Sequence, residues 1–135
     1  MTVPSLSDQE VKLLGDLIEE AARATSFLGP MDAADLYDDE KTRYAVKAAV
    51  QNVTEACVQI DGGRKGARFA ELFEGFELAP LRRMGNAFRH DYGALNPTVL
   101  FNDATRTVPR LAARAEELLA DHRRLRGADP NRLQD

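Results

Sequence analysis

The sequence predicts an all-α fold, an antiparallel helical bundle of about four to five helices with a kinked C-terminal helix. Apolar residues recur at three- and four-residue spacing, and cap and stop residues bound these runs. No segment alternates apolar and polar residues in the manner of a half-buried strand. A chain of 135 residues is long enough for one core, so we expect a single domain over residues 1–123 and a polar, flexible tail over residues 124–135.

The first helix is predicted to begin directly after Ser7. Ser7 and Glu10 have the spacing of a capping box, in which each side chain binds the other residue's backbone N–H. The apolar run that follows ends at Gly29 and Pro30, which stop helices. Residues 31–37 are expected to form a short turn of helix.

The second long helix is predicted from Lys41 to about Ile60. The carboxylates of residues 38–40 precede it, and negative charge favours a helix N-terminus. Its apolar stripe is broad and rich in small residues, so we expect it to be the central packing helix. Cys57, the only cysteine, falls in this stripe and is expected to be a buried structural thiol.

A loop and two helical segments are predicted in the middle of the chain. Residues 61–66 predict a plain loop, because their glycines match no phosphate-binding pattern. Arg68 to Phe76 predicts either a short helix or an irregular segment, with apolar anchors at Phe69, Leu72, Phe73 and Phe76. A further helix is expected from about Ala79 to His90.

The last helix is predicted to start at Asn96, with Pro97 in its first turn, and to run to about His122. Pro109 lies inside it and removes a backbone hydrogen bond. We therefore expect a kink near this proline.

Composition and charge favour a cytoplasmic protein with no membrane association. The chain has no unbroken apolar run of ~18 residues and no basic and apolar leader. Residues 1–60 carry 5 Lys and Arg against 11 Asp and Glu, whereas residues 61–135 carry 13 against 11. The second half is almost entirely arginine among its cations, which suits contact with RNA or nucleotides; the alternative is that these arginines are solvated helix faces.

The stretch from residue 81 to residue 92 carries the candidate chemistry. At 3.6 residues per turn, Arg83, Asn86 and His90 lie on one strip of the helix, and Tyr92 follows. Histidine titrates near neutrality, arginine holds a charge suited to phosphate, and asparagine donates or accepts hydrogen bonds. These residues favour chemistry on a phosphodiester, and the alternative for His90 alone is an ordinary helix-end histidine.

Three sequence blocks in this order resemble the HepT-like toxins of the HEPN superfamily. The blocks are DDEKTRYAV at residues 38–46, LRRMGNAFRHDY at residues 81–92 and LNPTVLF at residues 95–101. The second block matches the family signature R-x(4-6)-H-x-Y through Arg83, His90 and Tyr92. The resemblance extends over roughly residues 8–120.

This resemblance implies a homodimer in which two motif helices meet across a shared cleft. It also implies a metal-independent endoribonuclease that cleaves RNA as the toxin of a type II-like toxin–antitoxin system. We expect no cofactor, and no bound metal because no set of His and carboxylate residues falls at metal-ligand spacing. The expected partner is an MntA-like minimal nucleotidyltransferase antitoxin that neutralises the toxin by adenylylating Tyr92. Arg83 is the implied phosphate and transition-state contact, and His90 is the implied acid and base.

The remaining motif residues are expected to support this pair. Asn86 is a polar supporter, Arg82 or Arg89 adds positive charge, and Asp91 either holds His90 or is solvated. Many family members carry arginine at the position of Gly85, so Arg83 or Arg82 is expected to serve here. An alternative function is a noncatalytic helical partner, or a substrate-binding subunit, of a nucleotidyltransferase.

Overall fold

A computed structural model describes residues 3–89 and 96–127, and every regular element in these ranges is a helix. The elements are α1 (Asp8–Leu28), α2 (Ala33–Asp38), α3 (Glu40–Asp61), α4 (Ala67–Leu72), α5 (Leu78–Arg89), α6 (Pro97–Asn102), a π-helical turn (Asp103–Thr107) and α7 (Val108–Gly127). The prediction of an all-α bundle is confirmed. Because α6, the π-helical turn and α7 follow one another without a break, the described part of the chain contains six separate helices, including two short ones.

The first helix has the ends that the sequence predicts. The Glu10 backbone N–H donates to Ser7 Oγ at 3.1 Å, and the Ser7 N–H donates to Glu10 Oε1 at 2.9 Å. Gly29 caps the other end with a φ of 55°, and its N–H donates to the Thr25 carbonyl. Both predicted boundaries of α1 are confirmed.

Helix α3 is central, as predicted, and contacts α1, α2, α4 and α5. It begins at Glu40, and the Asp39 side chain caps it by accepting the Thr42 N–H at 3.0 Å. Cys57 is fully buried in it, as expected, and burial raises the pKa of this thiol to about 12. The thiol is therefore a core side chain rather than a nucleophile.

A buried ion pair that was not predicted from the sequence joins the start of α1 to α4. Arg68 Nε lies 2.7 Å from Glu10 Oε2, and Arg68 Nη2 lies 2.8 Å from Glu10 Oε1. Nη2 also donates to the Ser5 carbonyl at 2.6 Å. The capping glutamate of α1 thus also holds α4, which precedes α5.

The C-terminal helix is distorted near its proline. Asn96 caps it by accepting the Thr98 N–H at 2.8 Å, with Pro97 in the first turn, as predicted. The expected irregularity near Pro109 takes the form of the π-helical turn, in which the Val108 N–H donates to the Asp103 carbonyl five residues earlier. The helix also continues to Gly127, beyond the predicted end near His122.

Candidate functional site

Helix α5 carries the motif and has one buried side and one exposed side. The residues of α5 that are buried are Leu78, Leu81, Gly85 and Phe88. Arg82, Arg83, Asn86 and Arg89 are exposed. The apolar positions recur every three or four residues, so packing of this stripe fixes which polar side chains remain in solvent.

Gly85 brings α5 unusually close to α3. A β-carbon added at position 85 would lie 2.5 Å from Thr54 Oγ1 and 3.3 Å from Thr54 Cβ. Thr54 is 1% exposed, and its hydroxyl donates to the Gln51 carbonyl at 2.7 Å. Position 85 therefore faces the core, and its glycine is a packing requirement of this helix pair.

A cavity of about 150 Å³ opens beside this contact, and we call it the α5 cavity. Its α3 wall consists of Thr54, Glu55 and Val58. The α5 side contributes Gly85, Arg82, Asn86 and Arg89. The structure thus brings together three of the predicted polar residues, spaced four and three positions apart along one edge of α5.

The arginines around the α5 cavity differ in their charge partners. Arg89 Nη2 lies 3.0 Å from Glu55 Oε2, and both side chains are about half exposed. Among the described residues, Arg82 and Arg83 form no ion pair or hydrogen bond. Glu55 therefore partly neutralises the charge of Arg89, and no described residue does this for Arg82 or Arg83.

Arg83 lies outside the α5 cavity. It is exposed, and it sits roughly 100° further around the helix than Arg82. In the described part of the predicted strip, Asn86 therefore lines the cavity together with Arg82, whereas Arg83 is exposed and does not line it. His90, Asp91 and Tyr92 lie outside the described residues.

The comparison with protein families decides the family of this chain. The family model for "Ribonuclease HepT-like" matches residues 17–118, from within α1 into α7, including all of α5. The chain belongs to the HepT-like ribonuclease family. Comparisons with curated proteins and with solved structures gave no match.

The candidate site of this HepT-like chain includes two residues that were not predicted from the sequence. Thr54 and Glu55 stand on α3, and only the packing of α5 against α3 brings them to the motif. Both fall in a helix that was predicted as a packing element. No local sequence pattern connects α3 to the motif on α5, because the two segments are about thirty residues apart.

Within residues 3–89 and 96–127 of the HepT-like chain, no helix is both long and apolar enough to cross a bilayer. In the same ranges, no group of three or more His, Cys, Asp and Glu side chains is arranged to hold a metal ion.

Proposed function

We propose that this HepT-like chain is the toxin of a toxin–antitoxin pair and acts as a metal-independent endoribonuclease. The observation that carries the proposal is the exposed side of α5, where Arg82, Arg83 and Asn86 face solvent beside a cavity. Gly85 allows α5 to pack closely against α3, so the polar side chains extend from a helix that is held in place by the core. A fixed array of donors is what stabilisation of a phosphorane-like transition state requires.

In the proposed reaction, the RNA supplies its own nucleophile. One His90 removes the proton of the ribose 2′-OH, and the 2′ oxygen attacks the adjacent phosphorus. The bond from phosphorus to the 5′ oxygen breaks, and a second His90 protonates that leaving oxygen. The products are a 2′,3′-cyclic phosphate and a 5′-OH, and Arg83 balances the charge of the phosphate oxygens during transfer.

The two histidines come from the two subunits of a homodimer in this proposal. His90 is the only histidine in the motif, so one chain offers a single acid or base there. A dimer in which the α5 helices meet supplies both. A measured solution mass equal to one chain under cleavage conditions would contradict this arrangement.

The cleavage assay tests the enzyme directly. Purified protein in excess EDTA is expected to cut RNA, and His90→Ala is expected to lower the rate by about 10²-fold or more. His122→Ala is the matched control, because His122 is the only other histidine. Full cleavage by His90→Ala, or cleavage only after a divalent metal is restored, would overturn the mechanism.

We further propose that a nucleotidyltransferase of the MntA-like class is the antitoxin. It transfers AMP from ATP to the Tyr92 hydroxyl and releases pyrophosphate. Tyr92 is two residues from His90, so the added phosphate and nucleoside compete with RNA for the same cations. Co-expression with the partner is expected to add one AMP to Tyr92 and to abolish cleavage, whereas Tyr92→Phe remains toxic in the presence of the partner.

A second candidate is a noncatalytic partner of the nucleotidyltransferase. Two features favour it: Gly85 supplies no side chain where the resemblance to HepT-like toxins implies an arginine, and Arg89 is already paired with Glu55. This candidate predicts normal binding of the partner and no RNA cleavage in any ionic condition. The same purified dimer, tested in both assays, separates the two functions.

A further inference from the structure

We propose that a groove beside α5, extending from the α5 cavity past Arg82 to Lys65, binds the single-stranded RNA that flanks the cleaved bond. The inference rests on the proposed function for the class of ligand. It adds a phosphate-binding subsite at Lys65, outside the motif, and assigns Arg82 to both parts of the groove.

The first observation is a second cavity that borders the same arginine. This cavity, which we call the Lys65 cavity, measures about 430 Å³. Its walls include Lys65 and Gly66 from the loop before α4, and Phe76 and Leu78 around the start of α5. Arg82 lines both this cavity and the α5 cavity, so the two depressions adjoin along α5.

The second observation is the left-handed backbone conformation of Lys65. Lys65 has a φ of 58°, and it is the one non-glycine residue with positive φ in the described ranges. This conformation is unfavourable for a residue with a β-carbon, whereas Gly63 and Gly66 on either side of Lys65 adopt it freely. A lysine here places an exposed cation on the cavity wall at a position where glycine would be the better structural choice.

The loop that carries Lys65 is held by a buried carboxylate. Asp61 is fully buried, and its oxygens accept the backbone N–H groups of Arg64 at 2.9 Å, Gly66 at 3.0 Å and Phe69 at 3.2 Å. Burial alone would raise the pKa of Asp61, but these donors outweigh it and lower that pKa. The loop is therefore preorganised, and binding need not order it.

Charge and surface chemistry fit a nucleic-acid strand. Lys65 and Arg82 form no ion pair among the described residues, so both can meet phosphates. Phe76 is partly buried on the wall of the Lys65 cavity, and the Arg110 guanidinium lies over its ring, 4.9 Å from the ring centre. Arg110 therefore adds a third cation close to this cavity. Glu77 is the acidic side chain on the wall of the Lys65 cavity, and it opposes the binding of phosphates.

The length of the groove exceeds one phosphate. Arg82 and Arg89 are separated by roughly 10 Å along the helix axis, and the Lys65 cavity continues beyond Arg82 toward the start of α5. A small nucleotide would occupy only one of the two cavities. A single strand can contact both, which favours a polymer as the occupant.

The test measures binding without cleavage. A fluorescent RNA oligonucleotide with 2′-O-methyl sugars lacks the nucleophile, and its affinity for the full-length protein is read from fluorescence anisotropy. We expect Lys65→Gly to weaken binding several-fold and to lower the salt slope by about one. Lys65→Glu is expected to weaken binding by about tenfold or more, and Glu77→Gln to strengthen it.

The choice of variants separates side-chain effects from folding. Glycine accepts the backbone conformation of residue 65, so a loss of binding in Lys65→Gly reports the missing cation. Lys41→Ala is the matched control, because Lys41 is an exposed lysine at the start of α3 and lines neither cavity. It is expected to bind as the wild type does.

Each outcome decides the proposal. If Lys65→Glu binds the oligonucleotide with wild-type affinity, or if the wild type does not bind it, the proposal that this groove binds RNA is contradicted even if the protein cuts RNA. A loss of nucleotidyltransferase binding in Lys65→Glu, with RNA binding unchanged, would assign this surface to the protein partner instead. If the protein binds the oligonucleotide through the charge of Lys65 but cuts no RNA, the proposed RNA-binding groove is supported and the proposed ribonuclease activity is contradicted.

Discussion

Gly85 and Thr54 meet where α5 packs on α3, and a β-carbon at position 85 would lie 2.5 Å from the threonine hydroxyl oxygen. Ordinary side chains cannot share this space. The glycine therefore determines how closely α5 approaches α3 and which of its sides stays in solvent. The exposed arginines of the motif depend on this contact although neither residue carries a charge.

We expect Gly85→Ala to destabilise the protein. Alanine gains up to about 1 kcal/mol of helix propensity, but the clash with buried Thr54 costs about 1–3 kcal/mol through displaced packing. Gly15→Ala is the matched control: Gly15 lies within α1, and its added β-carbon would meet nothing within 4 Å. That change is expected to stabilise. Thermal unfolding of the two variants gives the comparison.

The origin of the effect can be isolated with a second substitution. Thr54→Ala removes the hydroxyl and leaves Cβ at 3.3 Å from the added carbon, so the double variant is expected to recover much of the lost stability. Additive losses from Gly85→Ala and Thr54→Ala would show that the contact is not the cause. A stabilised Gly85→Ala variant would contradict the close packing itself.

Arg82 and Arg83 are expected to differ in kinetics. Arg83 is assigned to the transferring phosphate, so Arg83→Ala should lower kcat by about 10²-fold. Arg82 lines the groove, so Arg82→Ala should mainly raise KM. Arg23→Ala is the control, since this arginine on α1 already pairs with Glu19. A loss of kcat in Arg82→Ala with no effect in Arg83→Ala would identify Arg82 as the motif arginine.

Because of the Glu10–Arg68 pair, we expect the free energy of unfolding to fall as the pH is lowered into the acid range. The hydrogen bond from Arg68 is the main reason that the pKa of Glu10 falls to about 2 from 4.5. A lowered folded-state pKa means that the unfolded chain takes up the proton first as pH falls. The contribution of the Glu10 carboxylate to the free energy of unfolding is therefore fully present above about pH 4.5 and is lost as the pH falls toward 2.

Denaturant unfolding at a series of pH values measures this contribution. Arg68→Ala is expected to cost about 3 kcal/mol at neutral pH, because it leaves Glu10 buried without its partner. Glu10→Gln should reduce the fall in stability between pH 4.5 and pH 2. Asp16→Asn, in the exposed pair with Lys12, should change little. An unchanged pH profile in Glu10→Gln would contradict the assignment.

Cys57 is expected to react only after unfolding. Its side chain is fully buried, and its pKa of about 12 leaves little thiolate at pH 8. A thiol reagent should therefore modify the native protein slowly and the denatured protein at the rate of a free cysteine. Rapid modification of the native protein, with far-ultraviolet circular dichroism unchanged, would show that this part of α3 is accessible.

The helix ends were predictable because their signals are local. Ser7 and Glu10 bind one another within a single turn, and Asn96 caps the turn that Pro97 begins. The all-α class follows from apolar spacing in the same way. Such features require only neighbouring residues, and the sequence contains them in full.

The contacts between helices were not predictable by the same route. Glu10 and Arg68 are separated by fifty-eight residues, and each also fits a purely local role. From the sequence alone, Gly85 was interpreted only as the absence of the usual arginine. The structure shows that Thr54 leaves no room for a β-carbon at this position. The grouping of Asn86 with Arg82 depends on how α5 is rotated against α3, which spacing within α5 does not determine.

The π-helical turn has a consequence for the geometry of the C-terminal helix. One extra residue in a helical turn rotates everything after it by roughly 100° relative to an uninterrupted helix. The segment before the turn packs on α2, and the segment after it packs on α1. The continuous helical segment from α6 to α7 therefore packs against two different sides of the bundle. Deletion of one residue between Asp103 and Thr107 would rotate the α7 face that packs on α1 by roughly 100° relative to the α6 face that packs on α2.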